Sequence, residues 1–134
     1  MSGPNETIIP ASYHDLLAAP LIAHLATTRP RGEPQSTPVW FDWGGTHLLI
    51  AAGHDSHKYR NTQRDPRLAL SIVDPVNPAR CLEVRGRVAD VDPDQDGAQL
   101  RAIVRKYTGT DELPGLEQER VILVIEPVRA SSME

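Results

Sequence analysis

The chain reads as a mainly β protein with flanking helices, and three observations carry that reading. Apolar residues recur in runs of strand length, short Gly- and Pro-bearing turns separate the runs, and one run, residues 80–91, is long enough to bend or bulge as barrel-closing strands do. The length sets the scale: 134 residues, 40% hydrophobic and 24% charged, suit one folded domain with a real core and are too few for two.

A single domain over residues 1–134 is therefore expected, with residues 1–11 as a flexible N-terminal arm. A short helix follows over residues 12–19, where Ser12 and Asp15 have capping-box spacing. Residues 22–29 form the first strand, and Pro30-Arg31-Gly32-Glu33 turns the chain into a second over residues 34–43. Gly44-Gly45 then leads to a third strand over residues 46–52, so an antiparallel meander of three strands is expected. A short basic helix separates these from a fourth strand, residues 67–73. The loop with Pro75 and Pro78 enters the long strand 80–91. Asp92 and Asp94 begin a helix that runs through Ile103, Val104 and Tyr107 to a stop at Gly109, its apolar side covering the barrel. The final strand, residues 120–128, is apolar at nearly every position, as strands buried on both faces are, and one of its faces is available to a second subunit.

Net charge of −4 argues against a general nucleic-acid or anionic-membrane surface while leaving room for a local basic pocket. An oligonucleotide-binding barrel would set its aromatics on a basic face, whereas Trp40, Phe41 and Trp43 lie in an acidic to neutral neighbourhood. No basic start followed by an apolar run opens the chain, and no stretch approaches a membrane span; a cytoplasmic protein is expected. The single cysteine, Cys81, rules out an internal disulfide and a zinc–thiolate cluster. His47, His54 and His57 are scattered, with no carboxylate signature, so no metal is expected. Nor is there a nucleophile elbow or other signature of acyl transfer.

The chemistry-bearing segment is HDSHKYRNTQRDP. Ser56 is placed to cap a helix whose first turn holds His57, Lys58 and Arg60. A helix N-terminus carries roughly half a positive charge, so cations there cost on the order of a few tenths of a kcal/mol unless an anion sits beside them. Phosphate is a common ligand at such ends. The competing reading is a solvated basic face. Tyr59 is the only sizeable apolar group of this helix, which leaves it almost no stripe to lay on a core.

The run LATTRPRGEPQSTPVWFDWGGTHLLIAAGHDSHKYRNTQRDPRLALSIVDP, with LEVRGRV and KYTG further on, resembles the split-barrel flavin and deazaflavin oxidoreductases related to pyridoxamine 5′-phosphate oxidase. The similarity spans roughly residues 16–128 and is most specific over residues 58–66. Within that group the chain looks most similar to the actinobacterial branch that uses coenzyme F420, a 5-deazaflavin hydride carrier; FMN is the alternative.

The resemblance implies an FMN-binding split β-barrel, homodimeric, with the cofactor at the subunit interface. The family's phosphate-binding lysine falls on Lys58, with Ser56, His57, Arg60 and Asn61 around it. Arg60 could equally pair with Asp55 or Asp65. The ring is placed along Ser36, Pro38, Val39, Trp40, Ala51, Ala52 and Gly53, residues that plain barrel packing would also explain. Pro38, lacking an N–H, belongs at a strand edge or bulge. The second subunit's loop corresponds to Asn77, Pro78, Ala79, Arg80 and Cys81; Arg80 would meet the coenzyme or substrate, or simply pair with Glu83 or Asp74.

The function so implied is hydride transfer from reduced deazaflavin to a conjugated small-molecule acceptor of quinone, enone or tetrapyrrole type. Such transfer needs position, exclusion of water and a proton source from the protein. His57, Tyr107, bound water and an acidic group on the substrate are the candidate proton donors. A non-catalytic protein that carries FMN, haem or a deazaflavin is the reading from another class.

Overall fold

The structure, a computed structural model, describes residues 8–110, 112 and 119–133. A 3-10 turn, Ala11–Tyr13, runs into helix α1, His14–Ala18. Then follow strands β1 (Ala23–Thr28), β2 (Pro34–Val39), β3 (Asp42–Trp43) and β4 (Leu48–Gly53), helix α2 (His57–Arg64), β5 (Arg67–Val73), β6 (Cys81–Asp92), helix α3 (Ala98–Thr108) and β7 (Arg120–Met133). The strands form one seven-stranded sheet in the order β2-β1-β5-β6-β7-β4-β3, with every pairing antiparallel.

The expected three-strand meander does not form. The stretch read as one strand over residues 34–43 breaks at Trp40 and Phe41, and its halves lie at opposite ends of the sheet. Of the first four strands, β1–β2 and β3–β4 pair as hairpins but β2 and β3 do not pair, and the other neighbour of β4 is β7. Pro34 and Pro38 give part of the reason: a residue without an N–H cannot serve two ladders, and both stand on β2, an edge strand. Val39 and Asp42 are three Cα–Cα steps apart, at most about 11 Å. The two ends of the sheet therefore meet at this corner, and the sheet curls into a barrel.

Phe41, at the break, is fully buried, and two successive residues of α3 satisfy its backbone. Its N–H donates to the Tyr107 hydroxyl (3.2 Å), and its carbonyl accepts from the Lys106 amine (2.9 Å). The same two side chains bind the end of α1 and the segment after it: the Lys106 amine donates to the Leu17 carbonyl (2.8 Å) and the Tyr107 hydroxyl to that of Leu21 (2.5 Å). Where the ladder is interrupted, side chains replace it, as buried backbone groups require.

Inward residues of every main strand fill the core, including Leu25, Leu48, Ile50, Leu70, Ile72, Leu82, Leu123 and Ile125. Each such side chain contributes about 1.5–3 kcal/mol on burial. Of the arm expected over residues 1–11, the described part is not free: Ile9 is fully buried and Ile8 packs against the core, because apolar side chains there find the barrel's end. The capping box at Ser12 and Asp15 is also absent, since no side chain caps the turn or α1 and Asp15 pairs with Arg80 instead.

Strand β6 is bent as anticipated, with register shifts at Arg85/Gly86 and Val88/Asp90. Gly86 is required by close approach, since a Cβ there would lie 2.5 Å from the Glu126 carbonyl oxygen. Helix α3 starts at Ala98, later than expected: Asp94, at φ 52°, precedes the helix and caps it from outside, accepting from the N–H groups of Gln99 and Leu100, both at 3.0 Å. Gly109 ends the helix in the left-handed region at φ 79°. Strand β7 continues to Met133, past the apolar run, because pairing with β6 carries its polar end. Its two faces are both used within the chain: Val121, Leu123 and Ile125 join the core, while Ile122, also buried, lies outside that cluster, as do Leu100, Ile103 and Val104 of α3. Among the described residues, no helix is long and apolar enough to cross a membrane.

Candidate functional site

Helix α2 is held by polar contacts rather than by an apolar stripe. The Ser56 hydroxyl accepts from the Tyr59 N–H (3.2 Å) and donates to the Gly53 carbonyl (2.8 Å), fixing the turn out of β4 and capping the helix. On the inward side Asn61 is 3% exposed, and its amide group donates to Thr27 Oγ1 and Gln35 Oε1, both at 3.0 Å. Thr62 is equally buried and turns its hydroxyl back to the carbonyls of Lys58 and Tyr59. Arg64 reaches the Thr28 carbonyl. A short helix with little apolar surface is thereby seated on β1 and β2.

Seating the helix this way brings Lys58 to a cleft of about 210 Å³. Pro38, Val39 and Trp40 form one wall, Ala51 comes from β4, Leu100, Ile103 and Val104 come from α3, and Lys58 and Arg120 supply the charge. Among the described residues the Lys58 amine has neither a hydrogen bond nor an ion pair. Burial lowers its pKa from the ordinary lysine value, and the positive charge of Arg120 lowers it further. A half-buried, unpartnered ammonium beside a second cation is an unfavourable arrangement that an anion would relieve. The walls are apolar and Trp40 is flat, so the cleft suits a ligand with a negative group at one end and an apolar ring at the other.

The residues singled out in the sequence separate into groups. Pro38, Val39, Trp40, Ala51 and Lys58 share the cleft. Gly53 pairs with Arg120 across β4 and β7, and a Cβ built on it would meet no atom within 4 Å. Ala52, between Ala51 and Gly53, points the other way into the core, since successive strand residues alternate. Ser36 is exposed on β2 and lines a separate hollow with His24 and Ser71. His57 is exposed at the start of α2, and Arg60 donates to the Asp55 backbone carbonyl (3.1 Å) while Asp65 pairs with Arg67. The amide hydrogens of Asn61 are engaged within the chain.

The loop of Asn77, Pro78 and Ala79 is exposed and leads to Arg80 and the half-buried Cys81 at the start of β6; none of these five lines the cleft of its own chain. Arg80 is clasped locally, bonded to Asp15 (2.7 Å), Asp74 (3.1 Å) and the Ser12 carbonyl (2.6 Å) and lying over the Tyr13 ring at 4.6 Å. Asp74 was one of its two carboxylates expected from sequence; the other, Glu83, pairs with Arg85. The two acidic partners raise the Arg80 pKa, and Arg80 in turn lowers that of Asp15. Tyr107 also has its hydroxyl occupied, and burial raises its pKa, which weakens it as a proton donor.

Arg120 was missed in the sequence, although a cation opening an otherwise apolar strand is a visible signal. What the sequence does not contain is the register that sets Arg120 opposite Gly53. The α3 residues were read as core cover, and they also wall the cleft.

The family model described as pyridoxamine 5′-phosphate oxidase matches residues 9–134. The curled antiparallel barrel and that match define the class, and the chain belongs to the pyridoxamine 5′-phosphate oxidase family. Among solved structures, a protein named F420 reductase is 42% identical, with a TM-score of 0.84 and alignment over 92% of this chain and 98% of its own. A conserved hypothetical protein from Mycobacterium tuberculosis is 21% identical at TM-score 0.79, covering all of this chain (100%) and 89% of its own. General stress protein 26 from Bacillus anthracis is 18% identical at TM-score 0.66, over 90% and 89%. The last two show the fold alone. No curated protein matches the chain.

Proposed function

We propose that the protein is a coenzyme F420-dependent reductase that passes hydride from the reduced deazaflavin to a conjugated small-molecule acceptor such as a quinone, an enone or a tetrapyrrole. The observation that carries this reading is the unpartnered Lys58 amine in an apolar cleft beside Arg120. Support for the deazaflavin comes from the 42% identity to a protein named F420 reductase. The reduced coenzyme supplies the hydride and its electrons.

The chain's own residues bind and exclude. Lys58 and Arg120 hold the coenzyme's phosphate, an interaction between charged groups that is stronger than a neutral hydrogen bond. Val39, Trp40, Ala51, Leu100, Ile103 and Val104 keep water from the ring. The free space before Gly53 lets a ligand approach the backbone of β4. Reduction of the acceptor also consumes a proton, and the engaged Tyr107 hydroxyl makes His57 or water the better source.

We further propose a cytoplasmic homodimer with the site at the interface. The small side chains of Ala26, Ala69 and Ser71 on the outer face of β1 and β5, and the exposed Val73, Val128 and Met133, leave surface for a second copy. In that dimer the partner would bring its own exposed loop of Asn77, Pro78 and Ala79 to the cleft.

The test is anaerobic mixing of protein and reduced F420 with a set of quinones and enones, followed by the return of deazaflavin absorbance. Acceptor-dependent oxidation supports the reading. Binding of FMN in preference to F420 moves the protein to the flavin-using type, and binding of either without turnover makes it a carrier.

A further inference from the structure

Trp40 and Tyr107 stack face to face, with ring centroids 4.7 Å apart and planes 3° from parallel. Trp40 lines the cleft and Tyr107 does not. Tyr107 covers one face of the indole, so the opposite face is the one on which a planar ligand in the cleft can stack. The Tyr107 ring cannot slide, because its hydroxyl is bonded at once to the Leu21 carbonyl and the Phe41 N–H. Phe41 directly follows Trp40, so the same bond also fixes the backbone that carries the indole. Lys106 adds a second restraint on Phe41, bonding its carbonyl and lying 3.8 Å from its ring centroid.

We infer that Tyr107 is a positioning residue that locks Trp40 as a fixed flat wall, against which the conjugated ring of a ligand stacks. The inference rests on the cleft being the ligand site proposed above and adds what selects the ligand: planarity, independent of the charge read by Lys58. A tryptophan free to rotate would lose rotamer freedom on each binding event, whereas one already stacked on a pinned tyrosine does not. Flat conjugated rings are thereby favoured over puckered ones of equal polarity. Because Tyr107 acts through Trp40 and lies outside the cleft, its replacement should move affinity for flat rings without touching the anion end.

The experiment uses the full chain carrying Trp43→Phe, in which Trp40 is the sole tryptophan of the two. Quenching of its fluorescence is titrated with an uncharged naphthoquinone, with the fully saturated decalindione as the puckered control and coenzyme F420 in a parallel arm. Near-ultraviolet circular dichroism reports how rigidly the indole is held. Adding Tyr107→Leu is expected to raise the naphthoquinone Kd about fivefold and to flatten the tryptophan dichroism, as loss of an aromatic pair would. Adding Tyr107→Phe, which keeps the ring but removes the two hydroxyl bonds that pin it, should fall between the parent and Tyr107→Leu in both Kd and dichroism. An absence of saturable quenching in the parent, no preference for the flat probe, or an unchanged Kd with Tyr107→Leu would overturn the inference. If Tyr107→Leu does not fold, Trp40→Leu, which leaves Tyr107 and its bonds in place, is titrated by dialysis, and an unchanged naphthoquinone Kd overturns it equally. Failure of F420 to bind while the naphthoquinone binds would instead count against the proposed function alone.

Discussion

Lys58 of α2 and Arg120 of β7 line one cleft, and the arginine makes the lysine harder to protonate. Two cations are seldom placed together in partly buried space without something negative to hold. Their juxtaposition depends on three separate devices: the Ser56 cap, the Asn61 bonds that seat α2, and the register that sets Arg120 across from Gly53.

Replacing Arg120 should therefore act on Lys58 as well as on the ligand. With Arg120→Gln one repulsion is gone, so the Lys58 pKa rises toward its ordinary value. The anion is then held by one charge instead of two, and affinity at neutral pH falls by about tenfold. The alkaline limit of binding moves to higher pH at the same time. Titrations of F420 at several pH values check both, and a weaker site with an unshifted limit would mean the two cations are not coupled.

Asn61→Leu should cost about 1–3 kcal/mol of stability, because Thr27 and Gln35 each lose a buried partner. Urea unfolding measures it. Coenzyme affinity should fall too, since α2 loses its seat; a stable variant with normal affinity would show that the amide bonds position nothing.

Lys106 gives a dependence on pH. Burial pushes its pKa from 10.5 down to about 8, with the Asp42 carboxylate pulling the other way. Between those values the unfolded chain holds one proton more than the folded chain, so this lysine's contribution to stability rises with pH across that window. The difference in unfolding free energy between the wild type and Lys106→Gln is expected to grow from pH 8 to pH 10, and a constant difference would contradict the assignment.

Gly86→Ala places a methyl group where the Glu126 carbonyl already stands, and should destabilise by about 1–3 kcal/mol. Thermal unfolding would show it, whereas Gly53→Ala, with open space before it, should leave stability nearly unchanged and weaken binding.

The sequence made the strand content and α2 legible because those signals are local. The boundaries of β5 and the Ser56 cap stand where alternation and capping chemistry placed them. Pairing was less legible. Nothing within residues 34–43 announces that Trp40 and Phe41 form a corner, since the backbone partners of Phe41, Lys106 and Tyr107, lie far along the chain. The same limit hid Arg120, whose place beside Lys58 is set by the β4–β7 register. Ala52 was legible by alternation alone: with Ala51 in the cleft wall, the next strand residue faces the core. The loop at Arg80 was assigned from resemblance, and its clasp to Asp15 joins segments too distant for a sequence pattern to connect.

The most direct test of the anion-anchored cleft is the affinity of coenzyme F420 for the wild type and for Lys58→Ala, followed by fluorescence at fixed ionic strength. Loss of the charged contact predicts a Kd raised about tenfold or more, with Lys58→Arg retaining most of the affinity. An equal Kd for the wild type and Lys58→Ala would contradict the account, because the unpartnered amine in the cleft would then hold nothing.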